Sequence, residues 1–220
     1  MYQITKLSKN DFSLNVPNTF FRQEAEADHL TMILPGLNYS CDMPLLYYAA
    51  QIMLEDGADV LQVKYDYTQT RSVGSASTLT ERFGRLAEDV IHIARIALEQ
   101  RTYKHLTVIG KSLGTLAIPY LIHADLSLHP QTCVYLTPIL HELVPAHDLI
   151  QTCSCNLFVI GTNDRYYDPE LIQRFRTSQP DNFLIIEGVN HSLEFPEDAL
   201  RSLEVLSTVV KMLKTIIHPR

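Results

Sequence analysis

The 220-residue sequence contains no run of about 18 uninterrupted apolar residues, so no segment reads as a membrane span. Its first residues, Met1-Tyr2-Gln3-Ile4-Thr5-Lys6, pass directly into polar Ser8-Lys9-Asn10-Asp11. Without a long apolar core they do not read as a secretory signal. Basic residues are in deficit: Lys and Arg total 18 against 25 Asp and Glu, for a net charge of -7. With no basic run to offset that balance, general nucleic-acid binding is disfavoured. Cysteine is sparse, at four residues: Cys41, Cys133, Cys153 and Cys155. Cys153 and Cys155 form Cys-x-Cys, but no second pair and no His-x-x-x-His partner completes a zinc module. Reduced, partly buried thiols are expected, with no metal site. Internal repeats, low-complexity tracts and linkers are also lacking. The expectation is one soluble, cytoplasmic domain over residues 1–220, long enough to bury a sizeable core.

Hydrophobic residues make up 46% of the chain and charged residues 20%, which fits a globular fold. Short apolar runs alternate with helical periodicity. Residues 1–28 carry strand candidates at Ile4–Leu7 and Thr19–Arg22, with Asn10-Asp11 and Val16-Pro17-Asn18 as turns, and read as N-terminal edge strands. Further strands are expected at His29–Leu34, Asp59–Tyr65, Leu106–Ile109, Cys133–Leu136, Asn156–Ile160 and Phe183–Ile186. Helices are expected at Met43–Asp56, from Thr78 (a capping box with Glu81), at Leu113–Ala124, around His147–Gln151, at Pro169–Arg176 and at Pro196–Ile217. The inward face of the Thr78 helix would be Leu79, Phe83, Leu86, Val90, Ile93 and Ala97. The last helix would bury Ala199, Leu203, Leu206, Val210, Leu213 and Ile217. Near-continuous apolar strands between helices imply a mostly parallel α/β sheet covered on both faces.

The most informative stretch is Val108-Ile109-Gly110-Lys111-Ser112-Leu113-Gly114-Thr115. An apolar strand runs into Gly-x-Ser-x-Gly and then into a helical segment. That order suits a sharp, strained turn presenting a nucleophilic serine, with glycines where neighbours crowd together. An ordinary tight turn is the competing reading, so the rest of the chain has to supply partners.

In parallel sheets reactive groups gather just past the carboxyl ends of the strands. After four of the apolar runs come Pro35-Gly36-Leu37, Ser112, Asp164 and His191. A serine hydroxyl is a weak nucleophile and needs a base. His191 directly follows a strand and lies downstream of an acid; His141 and His147 lie in the Thr137–Thr152 connection and end no strand. Asp164 would accept from the far ring nitrogen of His191, with Asp168 and then Glu187 as competitors. The backbone N–H groups of Leu37 and Leu113 are candidates for holding an oxyanion. Asn38, Tyr67 and Lys111 are candidates for lining the substrate site. For Tyr67, as for Tyr65, a structural aromatic is the stronger reading. For Lys111 the stronger reading is a surface residue whose stem covers apolar atoms.

Gly110-Lys111-Ser112-Leu113-Gly114, Leu34-Pro35-Gly36-Leu37, Gly161-Thr162-Asn163-Asp164 and Asn190-His191-Ser192 together resemble the α/β-hydrolase family over about residues 29 to 217. The resemblance implies nucleophile, oxyanion turn, acid and base at those positions, with Pro35 where many members carry histidine. The Thr137–Thr152 connection has room for about one short helix, so no large cap domain is expected. The function read from these residues is a serine hydrolase acting on a small ester or thioester through an acyl-enzyme, with no cofactor. A non-catalytic small-molecule binder on the same scaffold, or a serine peptidase, are the alternatives.

Overall fold

The structure is a computed structural model and describes residues 1–8, 16–65, 79–176 and 183–217. Eight strands form one sheet: β1 (Tyr2–Thr5), β2 (Asn18–Gln23), β3 (His29–Leu34), β4 (Asp59–Val63), β5 (His105–Lys111), β6 (Thr132–Leu136), β7 (Cys155–Gly161) and β8 (Phe183–Ile186). Their spatial order is β1-β2-β4-β3-β5-β6-β7-β8. β1 and β2 pair antiparallel at one edge of the sheet, and β2 pairs antiparallel with β4. Every other pairing is parallel. The Asn10-Asp11 turn candidate lies outside the described residues.

The helices are α1 (Pro44–Glu55), α2 (Leu79–Leu98), α3 (Ile118–His123), α4 (Leu140–Leu143), α5 (His147–Ile150), α6 (Pro169–Arg176) and α7 (Ala199–Ile217). Side chains alternate between the two sheet faces, as a two-residue period requires. Met32, Val108, Tyr135 and Phe158 join one core with residues of α2 to α6. Ile33, Ile109, Val134 and Val159 join the other with α1 and α7. On the first face the Tyr135, Phe158 and Phe183 rings stack from strand to strand, with centroids 4.4 and 4.6 Å apart. Among the described residues no helix is long and apolar enough to cross a membrane.

Several expected elements shift. Thr78 lies outside the described residues, but α2 does bury Leu86, Val90, Ile93 and Ala97. The segment after Ser112 winds first as a 3-10 turn, Ser112–Ala117, and becomes α-helical only at Ile118. Pro119 explains the delay: it has no N–H for the Thr115 carbonyl, which instead accepts from Ile118 in the tighter pattern. The Thr137–Thr152 connection holds two short helices, α4 and α5, joined by a 3-10 turn at Val144–Ala146. Leu140, Leu143 and Ile150 pin it to the core, and no cap domain is present among the described residues. In α7 the buried stripe is Val205, Val209 and Leu213; of the expected face Leu213 is buried and Leu206 and Val210 pack partly buried against the core, but Leu203 is 60% exposed and Ala199 is exposed too. Helical side chains lean toward the N-terminus, so a face chosen from spacing alone is easily offset by one position.

Topology creates the site. The chain leaves β3 for β4 on one side and then crosses to β5 on the other. The connections after β3 and β5 therefore diverge and leave a crevice at the carboxyl ends. Register brings the strand ends level, with Leu34 beside Gly110 and Lys111 beside Leu136.

Candidate active site

Ser112 is the first residue after β5 and holds φ at 49°, left-handed for a residue with a side chain. Packing makes the flanking glycines obligatory. A Cβ on Gly114 would lie 2.3 Å from the Leu34 carbonyl oxygen, and one on Gly110 would lie 2.7 Å from the Gly114 carbonyl oxygen. The Thr115 hydroxyl donates to the Ser112 carbonyl at 2.6 Å and fixes the turn from inside. Ser112 is 7% exposed.

His191 follows β8 on a compact loop. The Asn190 side-chain oxygen accepts from the Ser192 N–H at 2.8 Å and the Glu194 N–H at 3.2 Å. Leu193 takes the left-handed conformation, φ 61°. The imidazole reaches both ways: Nε2 is 2.8 Å from Ser112 Oγ, and Nδ1 is 2.8 Å from Asp164 Oδ2. The Asp164 carboxylate is fully buried, and its other oxygen accepts from the Tyr166 N–H at 2.9 Å. A carboxylate there requires the proton on Nδ1, leaving Nε2 free to accept from the serine hydroxyl.

The competing residues are engaged elsewhere. Asp168 caps α6, accepting from the Glu170 and Leu171 N–H groups, and faces His141 at 3.3 Å. Glu187 is exposed. His147 pairs with Asp148 and packs edge-on against Phe175.

The Pro35–Tyr39 turn lies directly beside Ser112. Gly36 is so close that a Cβ on it would sit 3.3 Å from Ser112 Cβ. Gly36 and Tyr39 bond to each other across the turn, a pairing in which the Leu37 N–H takes no part. Leu113 stands in the first turn of the 3-10 segment, where N–H groups lack intrahelical acceptors. Asn38 is left-handed at φ 60° and lines a cavity of about 390 Å³ with Tyr39, Lys64 and Tyr65. Tyr65 is structural, as expected, donating to the Pro35 carbonyl at 2.6 Å. Tyr67 lies outside the described residues.

Lys111 corrects the sequence reading. It is 1% exposed, not a surface residue. Its ammonium donates to Thr137 Oγ1 and to the His191 carbonyl, both at 2.8 Å, and lies 4.6 Å from the centre of the Tyr39 ring. Burial pulls its pKa down to about 8, against the opposing pull of Asp164 and Glu194. Thr137, Tyr39 and Tyr166 were missed from sequence. Thr137 ends the run Cys133–Leu136, so the strand-end rule applied to that run points to it. Tyr166 packs edge-on against the His191 ring, 5.3 Å between centroids.

Beside the His191 loop lies an apolar groove of about 400 Å³. Tyr39, Leu45, Leu193, Phe195, Ala199 and Leu203 line it, which is where the outward side of α7 is used. All four cysteines are free, three of them buried.

No protein-family model matches the chain, and no curated protein matches it in sequence. Solved structures do match. Est1E from Butyrivibrio proteoclasticus is 12% identical, with 97% of each chain covered and a TM-score of 0.69. A dienelactone hydrolase from Anabaena variabilis is 15% identical over 98% of this chain and 96% of its own, at a TM-score of 0.70. A lidless α/β serine hydrolase from Xanthomonas campestris is 14% identical over 98% and 93%, at 0.64. At such identities the likeness is one of fold, and the chain has the α/β-hydrolase fold without a cap domain among its described residues.

Proposed function

We propose that this protein is a serine hydrolase that cleaves a carboxylic ester or thioester through an acyl-enzyme. The observation that carries the reading is the unbroken hydrogen-bonded line from Asp164 through His191 to Ser112, with 2.8 Å at each link to the imidazole. His191 takes the proton of Ser112 as Oγ attacks the substrate carbonyl. Asp164 stabilises the imidazolium that results. The Leu37 and Leu113 N–H groups hold the developing oxyanion. His191 then protonates the departing alcohol or thiol, and water, activated by the same imidazole, releases the acid. The chemistry calls for no metal or cofactor.

The groove beside the His191 loop would take the apolar part of a small ester. Similarity to Est1E and to structures described as a dienelactone hydrolase and a lidless serine hydrolase supports the reading at the level of fold.

A fluorophosphonate probe tests it. Wild-type protein should label promptly, and Ser112→Ala should not label while melting normally. Well-folded wild type that stays unlabelled would sink the hydrolase reading and favour a non-catalytic binder. A series of p-nitrophenyl esters of rising acyl length then tests the preference for small esters. Inert short esters alongside peptides or long-chain esters that turn over would reject it.

A further inference from the structure

Lys111 occupies the second position of the Gly-x-Ser-x-Gly motif, and nothing in the reaction above uses its side chain. Its surroundings are unusual for a lysine. The ammonium is 1% exposed and meets one backbone carbonyl, one hydroxyl and one aromatic face, each from a different part of the chain. The carbonyl belongs to His191, on the loop after β8. The hydroxyl belongs to Thr137, at the end of β6, which holds φ at 46° and bonds its N–H to the Val159 carbonyl. The ring is Tyr39, in the turn beside Ser112. The carboxylates acting on the ammonium are Asp164, past the end of β7, and Glu194, in the His191 loop. No acid forms a contact ion pair with Lys111 among the described residues.

A buried ammonium without a contacting carboxylate is costly, and the segments around it are held by the hydrogen bonds it makes. The strand residue directly before the serine thus grips the backbone of the histidine. Two groups that must meet within a few tenths of an ångström, 79 positions apart in sequence, are joined by one side chain.

We propose that Lys111 is a positioning residue for the Ser112–His191 pair: its buried ammonium ties the loop bearing the imidazole to the strand that runs into the serine. This rests on the reading of Ser112 and His191 as nucleophile and base. Lys111 touches neither reacting atom and acts through His191.

The experiment compares wild type with Lys111→Met and Lys111→Gln. Fluorophosphonate labelling and ester turnover are followed in each. Methionine removes both tie and charge; glutamine keeps an N–H donor without the charge. Lys111→Met should lower kcat about a hundredfold with little change in KM, and Lys111→Gln should recover much of that loss. Unaltered kcat in folded Lys111→Met overturns the proposal. If methionine prevents folding, Lys111→Gln and Thr137→Val carry the test: Thr137→Val removes one anchor of the ammonium and should lower kcat severalfold, and wild-type kcat in both rejects the tie. If wild type itself is unlabelled, the hydrolase reading falls, and with it the positional role.

Discussion

Asp164→Asn exposes the logic of the candidate site, because the two oxygens of Asp164 have different partners. Oδ2 accepts from His191 Nδ1 at 2.8 Å and Oδ1 from the Tyr166 N–H at 2.9 Å. An asparagine amide offers only one acceptor. With its oxygen toward Tyr166, the NH₂ faces Nδ1, which must then accept. The imidazole proton moves to Nε2, which donates to Ser112 and cannot take its proton. With the amide reversed, the useful tautomer survives, but the NH₂ confronts the Tyr166 N–H. Such a buried donor facing a donor costs about 1–3 kcal/mol, or about 5- to 150-fold in population. The inactive tautomer therefore dominates, and the charge that stabilised the imidazolium is gone in either orientation. Together these predict a loss of about a thousandfold to ten-thousandfold in ester kcat, with an equal fall in labelling rate. The shape of the side chain is unchanged, so the melting temperature should stay within a few degrees of wild type. Activity within tenfold of wild type, in protein that melts normally, would refute the assignment of Asp164 as the partner of the base.

Other substitutions test neighbouring parts of the argument. Gly114→Ala would push a methyl to 2.3 Å from the Leu34 oxygen, backbone against backbone, and should cost about 3 kcal/mol or more in denaturant unfolding. Gly84→Ala, in α2 with nothing within 4 Å of the added carbon, should instead stabilise by about 0.5–1 kcal/mol, and a similar loss at both sites would reject the crowding argument. Tyr65→Phe removes the hydrogen bond to the Pro35 carbonyl and should cost about 0.5–1.5 kcal/mol, read from the same unfolding curves. Lys111 has a folded pKa near 8 against 10.5 for the free side chain, so between those values the unfolded chain binds more protons than the folded one. Stability contributed at this position should rise with pH across that window, by at most about 3 kcal/mol at 1.36 kcal/mol per unit. The difference in unfolding free energy between wild type and Lys111→Met, followed from pH 8 to 10.5, checks the sign.

Ser112, Asp164 and His191 were legible in sequence because each stands just past an apolar run, and parallel strands deliver such positions to one edge. Gly110 and Gly114 were legible because crowding at that turn leaves no room for a Cβ. The environment of Lys111 was not. Whether a lysine is buried depends on partners, and here they are a carbonyl 80 positions away, a hydroxyl 26 positions away and the Tyr39 ring. No local pattern encodes that meeting. The exposed side of α7 failed for a related reason. Leu203 and Ala199 are apolar, but the fold turns them toward a groove rather than the core, and periodicity reports only that a face is apolar. The 3-10 start after Ser112 was in principle readable from Pro119, whose missing N–H falls where the first α-helical turn would need it.

Backbone strain ties these observations together. Among the described residues, four non-glycine residues have left-handed φ: Asn38, Ser112, Thr137 and Leu193. They follow β3, β5, β6 and β8, all at the same edge of the sheet. Each such conformation costs about 1–3 kcal/mol and persists only where its surroundings dictate it. Those surroundings are identifiable. The Gly36–Tyr39 bridge holds Asn38, the Thr115 hydroxyl holds the Ser112 carbonyl, Lys111 holds Thr137, and the Asn190 carbonyl accepts from the Leu193 N–H. Ordinary loops would relax to cheaper conformations. Strain spread over four connections and locked by specific bonds holds Ser112, His191 and the Pro35–Tyr39 turn in one geometry, as the proposed chemistry requires before substrate arrives. Lys111 belongs to this scheme as the residue that reaches all four strained connections: Ser112 as its chain neighbour and, through its ammonium, Tyr39 beside Asn38, Thr137, and the loop of His191 and Leu193.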